Sequence, residues 1–155
     1  IDYLFIDLPP GTGDIQLTLS QKIPVTGSVV VTTPQDIALI DARKAVDMFR
    51  KVNIPIFGVL ENMSVHICSQ CGHSEAIFGS GGGQNLAETL KVPLLGQLPL
   101  ALPVREAMDT GSALALQRNH PQIAEIYQQA ALSVALAVAD KGKDFSGRFP
   151  KIVIE

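Results

Sequence analysis

The sequence is short of cysteine, of net basic charge and of long apolar runs, and each shortage excludes a class of protein. Of 155 residues only 2 are cysteines, Cys68 and Cys71, with two residues between them. A secreted disulfide framework needs more cysteines at other spacings, so a reducing, cytoplasmic setting is expected. Lysine and arginine total 12 against 15 aspartates and glutamates, a formal net charge of −3, which offers no basic field for nucleic acid. No stretch reaches the roughly 18 apolar residues that span a bilayer. No signal-peptide pattern opens the chain, and position 1 is Ile, not Met. A chain that begins inside an apolar run reads as a piece of a longer protein. What is present is a globular composition, 46% hydrophobic and 17% charged, of a length that suits one domain around one core.

The sharpest punctuation lies at the beginning, in Tyr3-Leu-Phe-Ile-Asp7-Leu-Pro-Pro-Gly11-Thr-Gly13-Asp14. Four apolar residues run into an acid, and a Pro-Pro-Gly turn follows. Such a run predicts a fully buried strand of a parallel sheet, with Asp7 at its carboxyl end, where open α/β sheets place their ligands. Pro9 and Pro10 cannot continue a central strand, while Gly11 and Gly13 let the backbone approach a ligand. An acid on such a tip can hold Mg²⁺, usually through water. The same acid could instead cap the next helix, and spacing alone leaves both readings open.

Asp14 is placed to cap a helix carrying Ile15, Leu17, Leu19 and Ile23, which Pro24 ends. Gly27-Ser-Val-Val-Val-Thr-Thr33 predicts a second buried strand, leaving through Pro34 and Gln35 either as an ordinary turn or as a nucleotide contact. A helix from Asp36 to about Val52 follows, then a third strand, Ile54 to Leu60, ending in Glu61-Asn62. Asn62 offers a donor and an acceptor to a base edge, or it holds its own turn. A helix over about 84–90, a strand over 94–98 and a helix over 104–110 that stops at Gly111 continue the alternation. A longer helix spans about 121–139, and its apolar 131–139 run is expected to pack on the sheet. Residues 141–155 read as a polar tail in which Ile152-Val-Ile154 is either an edge strand or disordered. Alternating strands and helices predict right-handed crossovers, and hence an α/β fold with a mostly parallel, doubly wound sheet flanked by helices.

His66-Ile-Cys68-Ser-Gln-Cys71-Gly-His73 concentrates the ligand chemistry. Two thiolates at this spacing reach one metal together, and Gly72 permits the tight turn that follows. An iron–sulfur cluster with four irons usually takes four thiolates; two copies of this chain about a twofold axis supply them, so ligand counting predicts a homodimer. Zinc is the second reading, with His73, His66 or a second cysteine pair completing the set. A thioredoxin-like redox pair is the third, though that motif usually begins a helix and residues 73–83 read as loop. Ser80-Gly-Gly-Gly83 lacks the Lys-Ser/Thr of a phosphate loop and reads as a hinge.

Taken together, Asp7-Leu-Pro-Pro-Gly-Thr-Gly-Asp14, Thr32-Thr-Pro-Gln35, Glu61-Asn-Met-Ser64, Cys68-x-x-Cys71, Phe78-Gly-x-Gly-Gly-Gly83, Gly96-Gln-Leu-Pro99 and Val104-Arg-Glu-Ala107 resemble, in this order, the Mrp/ApbC iron–sulfur carrier ATPases of the MinD-like P-loop branch. The resemblance runs to about Gly111. It implies that residues 1–140 are the C-terminal portion of a P-loop NTPase domain whose phosphate-binding loop precedes the Asp7 strand, with residues 141–155 as a tail. It implies an ATP-dependent carrier that binds a 4Fe-4S cluster on Cys68 and Cys71 of two subunits and transfers it to apoproteins. ATP with Mg²⁺ would meet Asp7 and the Gly11 backbone N–H as the catalytic elements, and Asn62 with the backbone near Leu98 and Pro99 would grip the adenine. Without the phosphate-loop Lys and Ser/Thr, these 155 residues are expected to hydrolyse ATP negligibly alone. The alternative of another class is a zinc-stapled, non-enzymatic interaction domain. A membrane-positioning ATPase is disfavoured because no basic amphipathic C-terminal helix is present; neither membrane nor nucleic acid is expected as a partner.

Overall fold

The computed structural model describes residues 2–9, 13–14, 17–18 and 22–140. In chain order its elements are β1 (Ser28–Thr32), α1 (Asp36–Lys51), β2 (Ile56–Glu61), β3 (His66–Ile67), β4 (Ser74–Glu75), α2 (Gly82–Leu90), β5 (Leu94–Gln97), β6 (Leu100–Ala101), α3 (Leu102–Asp109), α4 (Ala113–Asn119) and α5 (Pro121–Asp140). Before β1, Asp14, Leu17, Thr18 and Lys22 are helical, as expected for this stretch, but the Leu17 N–H reaches the Gly13 carbonyl at 3.3 Å, so Asp14 stands in the first turn and Gly13 precedes it as the cap.

The β-branched runs form a parallel sheet in the order β1-β2-β5. Val30 lies opposite Val59, Thr32 opposite Glu61, Leu60 opposite Gly96 and Glu61 opposite Gln97. Strand alternation then divides the residues between two faces. On one face Val30 and Val59 pack with Ala42 and Val46 of α1 and with Leu86, Ala87 and Leu90 of α2. Val46 and Val59 are wholly buried. On the other face α5 crosses β5 and β2, with Ala130 seated against Gly96 and Leu60 nearby. Helices on both faces of a parallel sheet make this the doubly wound α/β arrangement expected from the alternation.

The largest departure from expectation is the opening run. Residues 2–9 form no strand, and Leu4 and Phe5 are 74% and 75% exposed. A run that is apolar on both faces becomes a buried strand only where layers cover both faces. At β1, the edge of the described sheet, that cover is incomplete: α5 packs over β5 and β2, and Val31 is 57% exposed. Part of α5 departs as well, since Leu132 and Leu136, one turn apart, face outward. A second, small sheet of order β4-β3-β6 was not expected; it stands beside the main sheet and carries the cysteines. No described helix is long and apolar enough to cross a membrane. The 141–155 tail lies outside the described residues.

Candidate functional site: a cysteine turn and the strand tips

The cysteine segment is a hairpin. β3 pairs antiparallel with β4, His66 opposite Glu75, and parallel with β6, His66 opposite Leu100. Between the paired ends, the Cys68 N–H donates to the His73 carbonyl at 2.9 Å and the Gly72 N–H donates to the Cys68 carbonyl at 2.9 Å. Gly72 takes a φ of 73°, a left-handed conformation that a residue with a Cβ adopts at a cost. The turn points backbone donors at sulfur. The Cys71 N–H first, then the Gln70 N–H and the Cys71 side chain, hold the Cys68 thiol below its ordinary value, against a small opposing effect of burial. Such bonds favour the thiolate, the form that ligates metals. Both cysteines are free; Cys71 is exposed and Cys68 partly so. Among the described residues no group of three or more His, Cys, Asp and Glu converges on one point, so His66 and His73 do not join the cysteines in a complete single-chain site.

The second locus is the carboxyl edge of the main sheet. Asn62 follows β2, its N–H donating to the Thr32 carbonyl at 2.7 Å. Its Oδ1 accepts the Met63 N–H at 2.9 Å and so supports Met63 at a φ of 54°. Among the described residues no partner meets the side-chain amide N–H₂ group of Asn62. Leu98 and Pro99 are buried. The Leu98 N–H donates to the Glu61 carbonyl at 2.7 Å, while its own carbonyl accepts from both the N–H and the hydroxyl of Ser64, at 3.0 and 3.1 Å. With its backbone groups engaged in this way, Leu98 has no free backbone donor. Asp7 stands in the exposed 2–9 stretch, outside the sheet, and Gly11 lies outside the described residues. The structure therefore brings Asn62, Leu98 and Pro99 to one edge of the sheet, while Asp7 lies in no strand.

One residue at this edge escaped the sequence reading as an individual. Glu61 is 1% exposed. Its carboxylate accepts the Gly83 N–H at 2.5 Å and the Gln97 side-chain amide at 2.7 Å. An acid ending an apolar strand was the available signal, the same one that singled out Asp7. The glycine-rich stretch is correspondingly less of a hinge than expected: Gly82 and Gly83 are buried in the first turn of α2, docked against Pro34 and Glu61.

Comparison with known proteins places these features in a family. A family model described as NUBPL iron-transfer P-loop NTPase matches residues 1–135. The chain is 62% identical over 133 residues to the iron–sulfur cluster carrier protein of Pseudomonas fragi, covering 86% of this chain and 46% of that protein. It is 56% identical over 147 residues to the carrier protein of Escherichia coli K12, covering 95% and 40%. With the mouse iron–sulfur cluster transfer protein NUBPL it shares 49% over 134 residues, covering 86% and 42%. The chain thus spans less than half the length of these relatives. Among solved structures it is similar to a nucleotide-binding protein from Archaeoglobus fulgidus in complex with ADP, with 28% identity and a TM-score of 0.58 over 98% of this chain and 52% of that one. The parallel sheet, the strand-tip motifs and the cysteine turn are all contained in the matched span, and the chain belongs to the NUBPL iron-transfer P-loop NTPase family.

Proposed function

We propose that this chain is the strand-tip and cysteine-turn portion of an ATP-dependent carrier that holds an iron–sulfur cluster between two identical subunits and passes it to apoproteins in the cytoplasm. The observation that carries the reading is the Cys68–Cys71 turn: two free thiols on one hairpin, one drawn toward thiolate, with no third ligand beside them among the described residues. A four-iron cluster is usually held by four thiolates. Two such turns about a twofold axis supply that number, which supports a homodimer carrying one 4Fe-4S unit as cargo. A cargo shared between chains can leave when recipient thiolates replace those of one subunit.

The nucleotide half of the reading rests on the strand tips and on the ADP bound by the Archaeoglobus relative. The unengaged amide of Asn62 would address the adenine edge, with Leu98 and Pro99 as an apolar floor. Asp7 would hold Mg²⁺, and the Gly11 N–H would face the terminal phosphate of ATP. The domain assignment stays with this reading: residues 1–140 as part of the NTPase domain, 141–155 as its tail. Neither nucleic acid nor membrane enters as a partner.

Anaerobic native mass spectrometry after supplying iron and sulfide tests the proposal, with Cys68→Ala as control. A dimer carrying one four-iron, four-sulfide unit, absent in the control, is the expected result. A monomer carrying one zinc would replace the carrier reading with a structural staple. In the full-length protein, Asp7→Ala is expected to abolish transfer while cluster binding is retained; unchanged transfer would remove Asp7 from the mechanism.

A further inference from the structure

The cysteine hairpin hangs from a junction whose centre is Glu61. Its outgoing limb leaves β2 through Asn62 and is pinned to the β5–β6 segment, where Ser64 donates twice to the Leu98 carbonyl and the Leu100 N–H donates to the Val65 carbonyl at 2.8 Å. Its return limb ends at the first turn of α2. There the Gly83 N–H meets the Glu61 carboxylate, a bond that closes a loop across 22 positions of sequence. The second carboxylate oxygen takes the amide of Gln97, the neighbour of Glu61 in the adjacent strand. Among the described residues no lysine or arginine pairs with this buried acid; it is met by these two donors and by the positive end of the helix that Gly83 helps to begin.

The fit of the junction is close. A Cβ at Gly83 would lie 2.8 Å from the Glu61 Cβ and Oε2, and one at Gly82 would lie 2.5 Å from the Pro34 carbonyl oxygen. Both glycines are thus required by close approach, and the turn seats on the tips of β1 and β2 together. Gly79 and Gly81, which precede them, have φ values of 91° and 74° with open space around them, so the freedom of the segment lies before the docked turn.

We infer that Glu61 is the positioning residue of the cysteine loop: its carboxylate fixes the return limb against the strand tips, and thereby sets where Cys68 and Cys71 are held. Glu61 touches neither the cluster nor nucleotide in this assignment; it acts through the Gly83 turn. The inference rests on the carrier reading for its consequence, faster loss of cargo when the carboxylate is removed, but the clamp itself is testable without cargo.

The test uses the full-length protein with Glu61→Ala, Glu61→Gln and Gln97→Ala. Glutamine at 61 keeps an oxygen for the Gly83 N–H, and Gln97 can turn its own oxygen toward the new amide, so this variant should behave like wild type. Hydrogen exchange on the cluster-free protein is expected to show lost protection from Cys68 to Gly83 in Glu61→Ala and its recovery in Glu61→Gln. On reconstituted protein, chelator-driven iron loss should be about tenfold faster in Glu61→Ala and within about twofold of wild type in Glu61→Gln. Gln97 is exposed, and its alanine variant keeps the test decisive should Glu61→Ala not fold; about threefold faster loss is expected. Unchanged exchange in a folded Glu61→Ala, iron loss at the wild-type rate, or a Glu61→Gln variant no better than alanine would each overturn the assignment. A wild-type protein that takes up no cluster would instead overturn the carrier reading, and the exchange data would still decide the clamp.

Discussion

Gly96 and Ala130 meet where α5 crosses the sheet: a Cβ at Gly96 would lie 2.9 Å from the Ala130 Cβ and 3.3 Å from Leu60 Cδ1. The nearest of these atoms is fixed to the α5 backbone, so added volume must push the helix off β5. Gly96→Val is expected to lower the unfolding free energy by about 1–3 kcal/mol, read as a shift in the urea midpoint. Ala130→Gly should recover part of the loss in the double variant, because the two sites are in contact and do not add independently. A midpoint unmoved by Gly96→Val would mean that α5 is not seated on Gly96.

The Cys68 thiol supplies the pH prediction. Backbone N–H groups of Cys71 and then Gln70 lower its pKa, so the folded chain holds its thiolate at a pH where the unfolded chain does not. For a group depressed on folding, the associated stability is present above the unfolded value and lost as pH falls through the folded value. Alkylation by iodoacetamide, resolved by residue, should therefore show a midpoint for Cys68 below that of the same chain in denaturant. Gln70→Pro removes one of the donors and should move the midpoint back upward. Equal midpoints in folded and unfolded chain would refute the turn geometry.

The sheet was legible because strands of a parallel sheet are apolar nearly throughout, and the runs at 28–32 and 56–61 carry that composition openly. The small sheet was not, since β3, β4 and β6 have two residues each and no periodicity can appear in so short a span. Helix α4, with seven residues, escaped for a similar reason. Asp7 and Glu61 carry the same local sign, an acid closing an apolar run, yet one is exposed and the other 1% exposed. What separates them is tertiary: Glu61 meets donors 22 and 36 positions away, and no local pattern encodes that meeting. The spacing of Cys68 and Cys71 was plain, but the N–H groups aimed at the first sulfur follow from the turn's backbone.

Exposure of Leu4 and Phe5 makes them a liability for solubility and of little consequence for the fold. Replacing both with serine in this chain should change the unfolding free energy by no more than about 0.5 kcal/mol, as is usual at surface positions. Light scattering at high concentration should fall at the same time. A loss well above 1 kcal/mol in the urea midpoint would show that this run packs after all.

Asn62 has two separable groups, and the pair of substitutions that separates them decides what it does. Its Oδ1 holds the Met63 N–H at 2.9 Å, and the residue it supports sits at a φ of 54°. Asn62→Asp keeps an oxygen at that position and removes the amide donor, while Asn62→Ala removes both. If the amide addresses adenine, Asn62→Asp in the full-length protein retains its unfolding midpoint but binds ATP about tenfold more weakly, the expected cost of an unmet hydrogen bond to the base. The loss should be smaller for nucleotides whose base lacks the matching group, so discrimination among bases narrows. Asn62→Ala should add a stability loss of about 1 kcal/mol from the freed turn. Wild-type ATP affinity in Asn62→Asp, measured by calorimetry, would confine Asn62 to holding its own turn and move base recognition elsewhere on the edge.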